Sequence, residues 1–301
     1  MKLNSQAKVN EYIALGQQKE LVSLCESAHR QQANEIYQQI VEKGSHVVLV
    51  TGPSSSGKTT FSNILSGKFQ IPPLVLSVDD FFYGSDEIQR TDDDIKTFES
   101  IAGVNVELLN ECVYSLLRYE PTNIPRFDFA TERNIKNSKV VTLREGQEII
   151  IEGTHSFNDV LMPKLAGKEK FKVYIHVGTD MELENGEIIS GRDLRLIRRS
   201  VRDQLYRGAS IARTQTLWGN VVTFEKDSII PYLESADGVF NSFLAYEPCV
   251  MKNYLDRFLR ESNDVDYTKY IRTLNDKLKN FGEIDENLIP NESILKEFIK
   301  R

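Results

Sequence analysis

The octet Gly52-Pro53-Ser54-Ser55-Ser56-Gly57-Lys58-Thr59 follows the apolar run Val47-Val48-Leu49-Val50 and precedes a helix-favouring stretch; no other feature restricts the fold as much. Its spacing is GxxxxGK[ST], set between a strand and a helix. In that setting glycines let the backbone curl until successive N–H groups face phosphate oxygens, and the positive end of the helix adds to the field. Lys58 then reaches the β and γ phosphates of a nucleotide, and Thr59 ligates magnesium. Gly52, Pro53, Ser54, Ser55, Ser56, Gly57 and Thr60 complete the nucleotide cradle. A phosphate loop serves kinases, GTPases, transporters and helicases alike. Neither an NKxD guanine-reading motif nor an LSGGQ-type signature is present, which disfavours the GTPase and transporter readings.

Further short apolar runs stand at 74–78, 149–151 and 173–177, with helix-length segments at 59–66, 106–117 and 194–206 between them. Strands alternating with helices predict an α/β fold, a doubly wound parallel sheet of the P-loop NTPase type. Residues 8–43 read as two amphipathic helices packed on the main domain. After Asn241 the chain is again helical and charged, then passes a loop at 282–290 to a short final helix. The expected organisation is an N-terminal helical appendage at 1–44, a P-loop kinase domain at 45–243 and a C-terminal helical appendage at 244–301. The C-terminal tail reads as a packing unit, not a catalytic one.

With 37 basic and 44 acidic residues the chain carries a formal charge of -7, so its surface as a whole repels nucleic acid, and no nucleic-acid partner is expected. Against that background the seven arginines of 192–213 (Arg192, Arg195, Arg198, Arg199, Arg202, Arg207 and Arg213) suggest an anionic ligand. Arg195, Arg199 and Arg202 share one face of a helix, where they converge on transferring phosphates as a lid, and Gly208 ends the helix at a hinge. The competing reading is a solvated face with Arg199 paired to Asp203 at i,i+4. The cysteines Cys25, Cys112 and Cys249 and the four histidines show no metal-ligand spacing, which fits a reducing compartment. With no apolar leader and no apolar run of membrane-spanning length, the expectation is a cytoplasmic protein without a membrane partner.

Two acids stand at strand ends, where open parallel sheets bind ligands. Asp79, in Ser77-Val78-Asp79-Asp80-Phe81-Phe82, is placed to accept the proton of an acceptor hydroxyl. Asp80 is read equally as a loop or capping acid. Glu152 ends Ile149-Ile150-Ile151-Glu152 and is the second metal candidate beside Thr59. His155 is read as a structural histidine and stays outside the catalytic set.

The motif at 52–59, the Asp79 segment, Ile124-Pro125-Arg126-Phe127-Asp128-Phe129, Ile151-Glu152-Gly153, and Arg198-Arg199-Ser200-Val201-Arg202-Asp203 through Arg207-Gly208 together resemble the uridine kinase/phosphoribulokinase family. Phe240-Asn241-Ser242 and Ile289-Pro290-Asn291-Glu292-Ser293-Ile294-Leu295 are similar to its bacterial uridine kinase-like branch, whose longer members carry a TGS region not found in this sequence. That resemblance implies ATP and Mg²⁺ as cofactors, a homo-oligomer, and a small-molecule acceptor: the 5'-hydroxyl of a nucleoside such as uridine or cytidine. It implies Asp79 as base, Lys58 on phosphate, Thr59 and Glu152 on magnesium, and Arg199, Arg202 and Arg207 as substrate and lid arginines. Arg202 is counted as catalytic and Arg207 as a nucleotide contact. Phe127 and Phe129 match aromatics that flank the pyrimidine, with core packing as the alternative for each. Two positions depart from the family pattern. Thr97 stands where a ribose-binding Asp is usual, and is carried as a substrate contact, while Glu132 stands where pyrimidine kinases often have a histidine. Another alcohol or sugar phosphate as acceptor, or a nucleotide-binding regulatory module without turnover, remain the alternatives.

Overall fold

The computed structural model describes residues 3–85, 87, 100–129, 131–165, 169–262 and 264–300. Two helices open the chain, α1 (Gln6–Ala14) and α2 (Gln18–Lys43), the latter closed by Gly44 in the left-handed conformation that a residue without Cβ adopts at no steric cost. The central sheet is parallel and five-stranded, ordered β2-β5-β1-β6-β9, from β1 (Val47–Thr51), β2 (Leu74–Ser77), β5 (Ile149–Glu152), β6 (Lys170–His176) and β9 (Gly238–Asn241). Every residue of β1 and β5 is buried, so these strands read as unbroken apolar runs without alternation. The parallel α/β fold expected from the sequence is the fold found.

Alternation in β1 is still present, but it separates two cores. Val48 and Val50 face a cluster that includes Val9, Leu21, Ile36 and Ile40 of the N-terminal helices and Leu255, Ile271 and Phe298 near the C-terminus. Val47 and Leu49 face a second cluster with Leu76, Leu109, Val113, Ile149 and Phe127. Helix α3 (Lys58–Ser66) belongs to the first layer and α4 (Val106–Leu117) to the second. A separate antiparallel hairpin, β3 (Thr122–Asp128) with β4 (Arg133–Val141), stands beside the sheet, and a second, short one pairs β7 (Met181–Glu182) with β8 (Ile188–Ile189).

Pairing positions the site. Val50 and Ser77 both lie opposite Glu152, so β1, β2 and β5 end in one row and deliver their following loops to one edge of the sheet. The second strand ends one residue earlier than its apolar run: Val78 begins a 3₁₀ turn, Val78–Phe81, that carries both acids. The arginine helix, α5 (Gly191–Tyr206), starts three residues before its apolar periodicity does, because Ser190 and Asp193 form a reciprocal cap there. It ends at Arg207 and the left-handed Gly208, as the sequence suggested. Helices α6 (Ile211–Ser228), α7 (Glu247–Glu261) and α8 (Lys269–Leu278) follow. Among the described residues no helix is long and apolar enough to cross a membrane.

Candidate active site

A cavity of about 470 Å³ opens at the row of strand ends. Its floor is the phosphate loop. Ser55 at φ 60° and Gly57 at φ 94° bend the backbone inward, and Gly52 sits so close to β6 that a Cβ would lie 2.2 Å from the Ile175 carbonyl oxygen. The hydroxyls of Ser55 and Ser56 are buried without a protein partner, which fits a loop whose donors serve an outside acceptor. Lys58 Nζ donates to the Gly52 and Pro53 carbonyls at 3.0 and 3.3 Å, lying along the loop it serves. Desolvation lowers the Lys58 pKa, while Glu152 and Asp79 oppose the shift.

Thr59 Oγ1 donates to Glu152 Oε1 at 3.2 Å, joining the two residues expected to share a metal. Burial, then the neighbouring Asp79, pushes the Glu152 pKa up to about 7 against the pull of Lys58. Two hard oxygen donors suit magnesium, which takes only one or two protein ligands when phosphates and waters complete its shell. No cluster of three or more His, Cys, Asp or Glu is arranged to cage a metal among the described residues. The residues present therefore fit a metal shared with a phosphate ligand.

Asp79 faces the cavity from the 3₁₀ turn, whereas Asp80 turns away. The Asp80 carboxylate accepts the Phe127 N–H at 3.2 Å and its carbonyl accepts from Asn134, pinning the hairpin to the strand end; its role is structural, but it does not cap the segment that follows it.

The arginines divide by what they touch. Arg195 does not join the proposed phosphate-facing row: it forms a two-pronged pair with Glu225 at 2.6 and 2.8 Å and donates to the Ser54 carbonyl at 3.0 Å, bracing the loop from outside the cavity. Arg198 is fully buried between Glu247 and Ser242. Arg199, Arg202 and Arg207 line the cavity. Arg199 donates to Ser54 Oγ at 2.9 Å, and Arg202 donates to Asp203 Oδ1 at 2.7 and 2.9 Å. Asp203 also draws Arg199 at 3.3 Å and Arg207 at 3.9 Å. Burial raises the Asp203 pKa, but Arg202, Arg199 and Arg207 outweigh it and hold the acid below the usual range. One carboxylate thus orients three guanidinium groups and leaves a surplus of positive charge over the floor. The i,i+4 pair of Arg199 with Asp203 is present, but it is buried and not part of a solvated face, and Arg195 is missing from the row of three expected on that side of the helix.

Phe127 is buried, edge-on to Phe82 and to Phe129 with ring centres 5.7 and 5.0 Å away. Phe129 is 40% exposed, and the Arg207 guanidinium lies 4.5 Å over its ring. Glu132 lines the same wall at φ 52°. His155 is buried, lines the cavity and meets Phe224 edge-on at 5.2 Å. Thr97 lies outside the described residues.

Several wall residues carry no signal in the sequence. Among them, Leu217, Asn220 and Val221 come from α6, a helix without a motif, and Glu297 comes from the C-terminal 3₁₀ turn, Ile294–Glu297, in a tail whose sequence reads as packing. No local spacing marks Glu297, which reaches Thr60 across 237 residues of chain.

A parallel sheet, a phosphate loop, an acid pair at strand ends and a row of arginines define a P-loop kinase. The chain belongs to the Phosphoribulokinase / Uridine kinase family, a family of ATP-dependent phosphotransferases, whose model matches residues 47–246. It is 30% identical over 195 residues to Uridine kinase-like protein 5 of Arabidopsis thaliana, covering 64% of this chain and 37% of that protein. It is 27% identical over 177 residues to a uridine kinase of Anoxybacillus flavithermus, covering 58% of this chain and 75% of the relative. The chain thus matches little more than a third of the plant relative's length and three quarters of the bacterial one's. A solved structure described as a possible uridine kinase from Bacillus stearothermophilus superposes with a TM-score of 0.46 at 20% identity, over 70% of this chain and 98% of that one; it adds nothing on function.

Proposed function

We propose that this chain transfers the γ-phosphoryl group of ATP to a hydroxyl of a small molecule, with the 5'-hydroxyl of a pyrimidine nucleoside as acceptor. The observation that carries this reading is that one cavity collects Lys58, Thr59, Asp79, Glu152 and Arg202 from separate strands, turns and helices. Those are the parts phosphoryl transfer asks of a protein, which are positioning and neutralisation of charge. In this reading residues 45–243 form the kinase domain, and the flanking segments at 1–44 and 244–301 support it.

The backbone N–H groups at the tight end of the loop, toward Gly57, Lys58 and Thr59, hold the phosphates, and Lys58 exchanges its two carbonyl partners for phosphate oxygens, a stronger charge-assisted pairing. Thr59 and Glu152 would hold a magnesium ion, which would supply charge neutralisation on the phosphates. Asp79 accepts the proton of the acceptor hydroxyl as its oxygen attacks phosphorus and the bond to the leaving diphosphate breaks. Arg199 and Arg202, fixed by Asp203, face the charge that spreads over the transferred group. Phe129 offers an exposed ring for stacking, and Phe127 holds that ring in place.

Glu132 refines the acceptor. An ionised carboxylate accepts hydrogen bonds and donates none, so the exocyclic amino group of cytosine suits it better than the uracil N3–H, which two carbonyl oxygens flank and shield from a second anion. The same carboxylate suits a polyol, and this favours a sugar-like alcohol as the second reading. Magnesium- and ATP-dependent ADP release, measured against cytidine, uridine, sugars and sugar phosphates, tests the proposal. Stimulation by a nucleoside supports it, stimulation by sugars alone replaces the acceptor, and no stimulation at all leaves the binding module without turnover.

A further inference from the structure

The C-terminal 3₁₀ turn, Ile294–Glu297, is seated on the phosphate loop. Glu297 Oε2 accepts from the Thr60 N–H at 3.3 Å and from the Thr60 hydroxyl at 3.0 Å, and its carboxylate lines the cavity beside Lys58 and Thr59. Ile294 closes over Gly57: a Cβ there would lie 2.6 Å from the Ile294 Cγ2. The turn is held firmly. Ile294, Leu295, Phe298 and Ile299 are completely buried, Ser293 caps the turn and bonds Tyr246, and Tyr206 at the end of the arginine helix donates to the Ile299 carbonyl at 2.7 Å.

Thr60 is the residue after the magnesium threonine, and its N–H is one of the first-turn donors of α3 that have no acceptor within the helix. In a phosphate loop such donors face the phosphates of the nucleotide. An N–H serves one strong acceptor at a time, and a carboxylate and a phosphate both present negative charge to it. The two anions cannot occupy Thr60 together.

We propose that the Glu297 carboxylate is a built-in competitor of the nucleotide's phosphate at Thr60, so that binding displaces it and the C-terminal turn sets nucleotide affinity. The inference rests on the nucleotide reading of the phosphate loop. A ligand whose competent site is only partly free binds more weakly in proportion, and removal of the competitor restores the difference.

Calorimetric titration of the full chain with magnesium and ATP, with ADP and with adenosine, in wild type, Glu297→Gln and Glu297→Ala, tests it. The expected result is a Kd for ATP and ADP that falls by about three- to thirtyfold in the alanine variant, and less in the glutamine variant, the range spanned by loss of one capping contact. Adenosine, which has no phosphate, should bind equally to all three. Glutamine keeps the shape of the side chain, so its result stands even where alanine lowers the melting temperature. Unchanged or weaker ATP binding in Glu297→Gln, or an equal gain for adenosine, overturns the competitor. A wild-type chain that binds neither ATP nor ADP overturns the nucleotide reading beneath it.

Discussion

Glu152 Oε1 accepts a 3.2 Å hydrogen bond from the Thr59 hydroxyl, although 93 residues separate them, because β5 lies beside β1 with Glu152 opposite Val50. Sheet register therefore builds the pair of oxygens assigned to magnesium. Glu152→Gln should raise the magnesium needed for half-maximal turnover by about 10- to 100-fold, the usual effect of weakening a metal site's supporting groups. A magnesium titration of initial rates at saturating ATP reads this directly, and an unchanged midpoint would detach Glu152 from the metal.

Arg198 and Arg202 stand four positions apart in the same arginine helix yet should fail in opposite ways. Arg198→Ala leaves Glu247 charged, buried and unpaired, a loss of about 3–5 kcal/mol of stability. Arg202→Ala leaves Asp203 still held by Arg199, so the melting temperature should stay within a few degrees of wild type while kcat falls by about 10²–10³, as for loss of one transition-state donor. Thermal unfolding and steady-state rates on both variants separate the roles.

His29 is buried and bonded to the Phe243 carbonyl, and burial lowers its pKa from 6.5 to about 4. In the unfolded chain it takes up a proton first, so its contribution is present above pH 6.5 and is lost as pH falls toward 4. That window corresponds to about 3 kcal/mol. Urea unfolding should show the stability of wild type relative to His29→Gln shrinking by up to that amount between pH 7.5 and pH 4, and a constant difference would show that His29 does not titrate there.

Glu132 should set the preference between pyrimidines. Wild type is expected to favour cytidine over uridine in kcat/KM, and Glu132→Gln, which can donate as well as accept, to narrow the ratio by about 10-fold, a little over the lower bound for one base contact. Competition assays with both nucleosides decide it; a preference for uridine in wild type would remove Glu132 from base recognition.

How much of this was legible follows from where the physics is local. The phosphate loop, the apolar strands and the acids at their ends are each contiguous in sequence, and the strands form on those runs, although β2 stops one residue short and β6 starts three residues early. Arginine identity was legible but arginine environment was not. Arg198 and Arg199 are adjacent in sequence, yet one is walled in by α7 and the other lines the cavity, because a helix sends neighbours about 100° apart. The hairpin β3–β4 has a largely exposed second strand and so lacks an apolar pattern to read. Glu297 was hidden for a third reason: its position depends on the burial of Ile294, Leu295, Phe298 and Ile299 against elements far away in sequence, and no spacing encodes that.

The most direct test of the central claim is ADP release with Mg-ATP and a nucleoside panel, comparing wild type with Asp79→Asn. Nucleoside-stimulated release in wild type, with ATP binding retained and turnover reduced by about 10²–10⁴-fold in the variant, is the predicted result. Equal turnover in both proteins, or no stimulation by any nucleoside, would contradict it.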